Sequence, residues 1–219
     1  MADRPFAAVV FDWDGTLVDS TGLIADCILR AADEIGVPVP DRGQAWHVIG
    51  LGLAQALAQV VPELPRQRIP EFAACYHAHF IRQEGRVRMF DGAMQMLERL
   101  RERGVPLAVA TGRTVVELER SRRHNGLDAF FAAVRCADQT HPKPHPAMLL
   151  ELARELAVEP ADMVMIGDTT HDLEMASSAG AAAAAVSYGA HSRAALERLQ
   201  PRAIFDNVAQ MHEWVLARC

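Results

Sequence analysis

The stretch Ala7-Ala8-Val9-Val10-Phe11-Asp12-Trp13-Asp14-Gly15-Thr16 decides how the rest of the chain is read. An uninterrupted apolar run, Ala7 to Phe11, stops at an acid, which is the pattern of a strand covered on both faces in a parallel sheet. Two carboxylates, Asp12 and Asp14, then flank a single residue, and Gly15-Thr16 supplies a turn. Taken alone, Asp14 or Thr16 could merely cap a helix, with Gly15 making the bend.

Further runs of the same type follow downstream. They are Pro106 to Ala110 before Thr111, Phe131 to Val134 before Arg135, Met163 to Ile166 before Gly167-Asp168, Ala182 to Val186 before Ser187, and a weaker Ala203 to Phe205. Segments with helical periodicity lie between them, at 93–103, 115–125, 146–156 and 171–179. Strand and helix therefore alternate, which predicts an α/β fold with a doubly wound parallel sheet and a Rossmann-like core. In such sheets ligands bind outside the carboxyl ends of the strands, so Asp12, Thr111 and Asp168 become candidates for one site.

Residues 18–88 break the alternation, offering helices near 23–35, 53–61 and 69–83 but no convincing strand. The spacing predicts a helical cap, 18–88, inserted after the first strand of a core made from 1–17 and 89–219. Its connections fall near Leu17-Val18-Asp19 and Val87-Arg88-Met89, above the carboxyl end of that strand, where a lid would sit.

Composition narrows the function classes. The chain has 219 residues, 50% hydrophobic and 23% charged, with 22 basic against 28 acidic side chains and a net charge of −6. That is an ordinary globular balance. Without a basic cluster it lacks the electrostatic footprint of a nucleic-acid binder or of a protein that docks on anionic lipid. No apolar run approaches the ~20 residues of a membrane span, and the N-terminus shows no signal pattern, so a cytoplasmic location is expected. Cys27, Cys75, Cys136 and Cys219 have no C-x-x-C spacing and read as reduced thiols. Oligomeric state is left open.

Three further groups carry chemistry. Gly167-Asp168-Thr169-Thr170-His171-Asp172 places two carboxylates four residues apart across a strand-to-helix turn, a set of hard oxygen ligands suited to Mg²⁺. Asp172 could equally be a first-turn acid favoured by the helix dipole, and His171 reads as a solvated loop residue. Lys143, in His141-Pro142-Lys143-Pro144-His145-Pro146, is the only lysine of the chain. All other basic side chains are arginines, which suggests a place where a compact ammonium is required and a forked guanidinium does not serve. Thr111-Gly112-Arg113 offers a hydroxyl and backbone N–H groups where a phosphate could rest, or a plain helix cap. Arg113 is either another phosphate contact or a solvated side chain.

Taken in order, strand-D-x-D-G-T, strand-T-G, lone lysine and strand-G-D-x-x-x-D resemble the haloacid dehalogenase superfamily, and the helical insert resembles its phosphoglycolate phosphatase and β-phosphoglucomutase-like branch. The resemblance implies Asp12 as nucleophile, Asp14 as general acid and base, and Thr111, Gly112 and Lys143 as phosphate binders. It further implies Mg²⁺ held at Asp168 and Asp172 together with Asp12 and Asp14. Electrostatics agrees: four carboxylates beside a phosphate monoester repel one another by about 4 kcal/mol per pair at ~4 Å and an effective dielectric of ~20 unless cations intervene.

Within that family Asp14 favours phosphoryl transfer over carbon–halogen hydrolysis, and the absence of lysine from 18–88 excludes a Schiff-base phosphonoacetaldehyde hydrolase. A β-phosphoglucomutase-like enzyme would carry a histidine and an arginine near Ile24 and Leu53, where this chain is apolar, with the loop Ile49-Gly50-Leu51-Gly52-Leu53. The expectation is a phosphatase for a small phosphorylated metabolite, 2-phosphoglycolate first. The mutase, and phosphatases for nucleotides or sugar phosphates, are the alternatives.

Overall fold

The structure, a computed structural model, describes residues 5–219. Six parallel strands form one sheet in the order β3-β2-β1-β4-β5-β6, where β1 is Ala8–Phe11, β2 Leu107–Thr111, β3 Ala133–Cys136, β4 Met163–Gly167, β5 Ala182–Val186 and β6 Ile204–Phe205. The chain starts in the middle, builds outward through β2 and β3, and returns to build outward again through β4. Alternation of side chains explains why these runs are apolar throughout. Val9 and Phe11 pack into one buried cluster with Leu97, Leu100 and Val109, whereas Ala8 and Val10 pack into another with Leu149, Leu152 and Met165.

Four of the helices between β1 and β2 form the insert: α1 (Thr21–Glu34), α2 (Arg42–His47), α3 (Leu53–Val60) and α4 (Ile69–Glu84). They share an apolar cluster of their own, in which Ile24 and Ile28 of α1 meet Phe72 and Phe80 of α4. The chain leaves and rejoins the sheet along adjacent paths, with the Asp19 N–H donating to the Arg88 carbonyl at 2.9 Å and the Phe90 N–H to the Leu17 carbonyl at 3.0 Å. The remaining helices flank the sheet: α5 (Ala93–Glu102), α6 (Val115–His124), α7 (Ala147–Leu156), α8 (Thr170–Ala179), α9 (Arg193–Glu197) and α10 (Val208–Leu216).

Two elements differ from the sequence reading. The third strand starts at Ala133, two residues later than expected, because Phe131 is used as a side-chain contact, edge-on to the Trp13 ring at 6.0 Å. The six-residue α2 is too short to show periodicity. Its start was nonetheless written in the sequence, since Asp41 and Gln44 form a reciprocal capping box. Among the described residues no helix is long and apolar enough to cross a membrane, and the four cysteines are free thiols.

Phe72 is fully buried where α1 and α4 meet. Truncation to alanine leaves a cavity at that contact, and Phe72→Ala is expected to cost about 3–5 kcal/mol. A urea or thermal melt reads the loss directly; a change below ~1 kcal/mol would show that the helices are not held by this cluster.

Candidate active site

The order of the sheet reverses at β1, whose neighbours are β2 on one side and β4 on the other. Register brings the strand ends level: Phe11 pairs with both Val109 and Ile166, and the Asp12 N–H donates to the Ile166 carbonyl at 2.8 Å. Residues that follow those positions, Asp12, Thr111 and Asp168, therefore emerge at one crevice, as open α/β sheets require of a ligand site.

Lys143 lies fully buried in that crevice. Its ammonium sits 2.5 Å from Asp12 Oδ1 and 2.6 Å from Asp172 Oδ1. Burial alone would depress its pKa, but Asp12 and then Asp172 more than offset this and raise it, so the charge is secure. Oxygens of Asp12, Asp168 and Asp172 all lie within 4.8 Å of one another. Burial pushes Asp12 well up from the ordinary carboxylate range against the pull of Lys143, and burial with the neighbouring Asp172 pushes Asp168 up to about 7. Asp12 Oδ2 is buried with no hydrogen-bond partner.

Local structure holds the other oxygens. Asp168 accepts from the Thr16 hydroxyl at 3.0 Å and the Ala190 N–H at 2.7 Å. Gly15 is required here, because at φ +81° a Cβ would stand 2.2 Å from Asp168 Oδ2. Asp172 fills both sequence roles at once. Its Oδ2 caps α8 by accepting from the Thr169 N–H and hydroxyl, while Oδ1 faces Lys143.

Asp14 is placed differently. Its carboxylate is outside the three-acid group and is gripped by Arg113, with Nε and Nη2 donating at 2.7 and 2.6 Å, and by the Ser20 hydroxyl at 2.5 Å. Burial opposes its ionisation, but Arg113 and Ser20 win and hold its pKa below the usual value. Arg113 is therefore neither solvated nor free for phosphate. It also faces Glu84, the last residue of α4, at 3.5 Å, and Glu84 pairs with Arg120 of α6. The sequence reading missed Glu84. An acid in the last turn of a helix opposes the helix dipole, and that mismatch was the available signal.

Thr111 ends β2, fully buried, and its hydroxyl oxygen accepts from the Arg113 N–H at 3.2 Å. Gly112 has a second reason to be glycine: a Cβ would lie 2.6 Å from the carbonyl oxygens of Gly50 and Leu51, so the 49–52 loop rests directly on it. Ile24 and Leu53, the apolar positions singled out in the sequence, line the cavity beside Asp14, and His77 of α4 and Arg113 place basic groups on the same wall.

His171 corrects the sequence reading more sharply. It is buried, and its Nε2 lies 3.0 Å from the His47 carbonyl oxygen, a position shared by His191 Nε2 at 2.9 Å. The His47 and His191 rings stack at 4.8 Å, joining α2 to the loop that follows β5. The Thr170 N–H donates to His191 Nδ1 at 3.0 Å, which fixes the neutral ring with its proton on Nε2.

Burial lowers the pKa of His191 to about 4. The unfolded chain therefore binds a proton near pH 6.5 that the folded chain refuses until about pH 4, so this contribution is complete above pH 6.5 and is lost as the pH falls through that window. Between pH 6.5 and 4 the parent should lose a few kcal/mol more stability than His191→Asn, because the raised pKa of Asp168, which acts in the opposite sense, is common to both proteins. A denaturation series against pH that shows the same slope in both proteins would refute this.

Comparison with known proteins agrees with the geometry. Residues 9–186 match the family model described as haloacid dehalogenase-like hydrolase. The protein named "Probable phosphatase IndB" from Dickeya dadantii is 35% identical over 208 residues, covering 93% of this chain and 90% of that protein. "Pyrophosphatase PpaX" from Bacillus cereus is 26% identical over 204 residues, 93% of each chain. A crystal structure of a "predicted phosphoglycolate phosphatase" from Haemophilus somnus 129pt superposes with a TM-score of 0.82 at 24% identity, over 95% of this chain and 97% of that one, and shows the shared fold. With the parallel sheet, the acid-bearing strand ends and the buried lysine in place, the chain belongs to the haloacid dehalogenase-like hydrolase family, among its phosphatases.

Proposed function

We propose that this phosphatase is a Mg²⁺-dependent phosphomonoesterase that passes the phosphoryl group of a small phosphorylated metabolite to Asp12 and then to water. The observation that carries the reading is the buried group of three carboxylates, Asp12, Asp168 and Asp172, around the one ammonium of Lys143. Three negative charges against one positive leave an excess of two, in a space where Asp12 Oδ2 is unpartnered and Asp168 is pushed up to about 7. An all-oxygen set of that charge fits a hard divalent cation, and Asp12, Asp168 and Asp172 would hold it. When bound, the ion supplies the positive charge that offsets repulsion between Asp12 and the phosphoryl oxygens.

Asp12 attacks phosphorus through its unpartnered Oδ2. A bond forms from that oxygen to phosphorus as the ester P–O bond breaks, and Lys143 keeps Oδ1 fixed. Asp14 gives its proton to the departing alcohol, then takes one from the water that hydrolyses the aspartyl phosphate. Arg113 favours the carboxylate form, which suits the second step; the first requires Arg113 to loosen its hold. Because the Thr111 oxygen accepts from the backbone, its hydroxyl proton is available to a phosphate oxygen, and the Gly112 N–H lies next to it in the chain. Catalysis of this kind is mainly positioning and electrostatics. 2-Phosphoglycolate, the first expectation from the sequence, serves as the reference compound.

Asp12→Asn should abolish turnover and leave the circular dichroism spectrum unchanged, and stripping divalent ions with EDTA should do the same reversibly. Full activity in either case would sink the proposal. Lys143→Arg preserves the charge but not its shape, and a fully buried site has no room for the fork. Its kcat/KM should fall at least ~10-fold, about 1.4 kcal/mol of transition-state stabilisation. Kinetics equal to those of the parent would mean that the ammonium is not matched to the reaction.

A further inference from the structure

We infer that the cavity beside Asp14 receives the alcohol portion of the substrate and selects phosphate monoesters whose alcohol is uncharged, with an apolar face and a hydrogen-bond donor. The inference rests on the phosphatase reading and adds to it the class of leaving group.

The cavity measures about 400 Å³ and opens on Asp14 and Arg113, between the 21–84 helices and the loops that follow β2 and β3. That volume lies within the range of small-molecule sites, ~300–1,000 Å³. Its position fixes its occupant: the group that takes a proton from Asp14 is the leaving oxygen, so whatever is attached to that oxygen extends into this space. The walls there are mainly apolar, with Ile24 and Ile28 from α1, Leu53 from α3, Phe80 from α4, and Ile49 and Leu51 from the loop between α2 and α3.

Charge decides against an anionic alcohol. Three acids line the cavity, Asp14, Glu117 and Asp138, against two basic groups, Arg113 and His77. Both basic groups are already engaged: Arg113 is shared by Asp14 and Glu84, and His77 Nε2 stands 3.6 Å from Glu117 Oε1. A substrate carboxylate would enter a mainly apolar space with a surplus of acids and no unclaimed cation, where the first N–H groups of α3 are its one favourable partner, and burying a carboxylate without a matching cation is strongly unfavourable. An uncharged alcohol meets no such penalty and replaces water along the apolar walls. One polar atom remains unmatched: Gln55 Oε1 is buried without a hydrogen-bond partner, and Gln55 lines the same cavity. A carbonyl oxygen can only accept, so the complementary group on the substrate is an O–H or N–H. A site built for such a donor discriminates against analogues that lack it.

The test uses the full-length enzyme with Mg²⁺ and four monoesters: benzyl phosphate, 4-(hydroxymethyl)benzyl phosphate, 4-carboxybenzyl phosphate and 2-phosphoglycolate. The leaving oxygens of the three benzyl compounds are chemically alike, so differences report on the cavity. The two uncharged compounds are expected to exceed both carboxylates in kcat/KM by ~10-fold or more. Leu53→Arg, which adds an unclaimed cation to the wall, should narrow that gap at least ~10-fold with the melting temperature retained. Gln55→Leu should remove the advantage of the hydroxymethyl compound over benzyl phosphate. If 2-phosphoglycolate or the carboxybenzyl compound is turned over as well as the uncharged ones, the inference is overturned and the phosphatase reading stands. No hydrolysis of any monoester overturns both.

Discussion

A buried ammonium cannot exist without matching carboxylates, and Lys143 is matched by Asp12 at 2.5 Å and Asp172 at 2.6 Å. Removing the ammonium would leave the clustered carboxylates uncompensated in the interior, a cost of about 3–5 kcal/mol. The requirement propagates outward. Asp12 reaches Lys143 only if β1 ends where it does, and Asp172 reaches it only if α8 begins directly after β4. The parallel register of Phe11 with Ile166 satisfies both conditions. The loop that carries Lys143 precedes α7 and is thereby pinned over the crevice. Fold and charge are one arrangement here, because the sheet supplies the level and the ion pairs supply the tension between its strands.

A second layer of charge stands behind the first. Asp14, Arg113, Glu84 and Arg120 alternate in sign from the end of β1 to the end of α4 and on to α6. Unlike the Lys143 group, this chain of charges is balanced, so it has no call for an added cation. It connects Asp14, the proposed general acid, with a helix that forms the wall of the cavity. Any substrate that displaces Arg113 from Asp14 therefore perturbs the contact between α4 and the core.

The sheet was legible in the sequence because each strand is a separate apolar run ending in a polar residue, a signal contained within five or six positions. Asp12, Asp14, Thr111, Gly112, Lys143, Asp168 and Asp172 stood out as candidates for a similar reason: each stands just after a strand, in a proline-stiffened loop or, for Asp172, in the first turn of α8, and the structure brings them to one end of the sheet. What escaped was relational. Arg113 looks like a surface arginine until Glu84 is placed opposite it, and the two are far apart in sequence. His171 looks solvated until α2 delivers the His47 carbonyl to it. The acid-rich composition of the cavity wall is assembled from α6, the loop after β3 and the turn after β1, and no window of sequence contains it.

Adjacent exit and return of the chain also bear on how the molecule is assembled. Pairing of β1 with β2 sets Val9 beside Leu107, across the whole of the helical insert, and closing so long a loop costs chain entropy and slows folding. Asp19 and Arg88, and likewise Leu17 and Phe90, are already in backbone contact where the insert begins and ends. Once α1 and α4 have docked, the ends of that long segment are held together, and the effective connection between β1 and β2 shrinks to 12–17 and 90–106, the second of which carries α5. The strands that carry Asp12 and Thr111 can then meet as if they were joined through α5 alone. Strands far apart in sequence thereby meet at the closure cost of a much shorter connection.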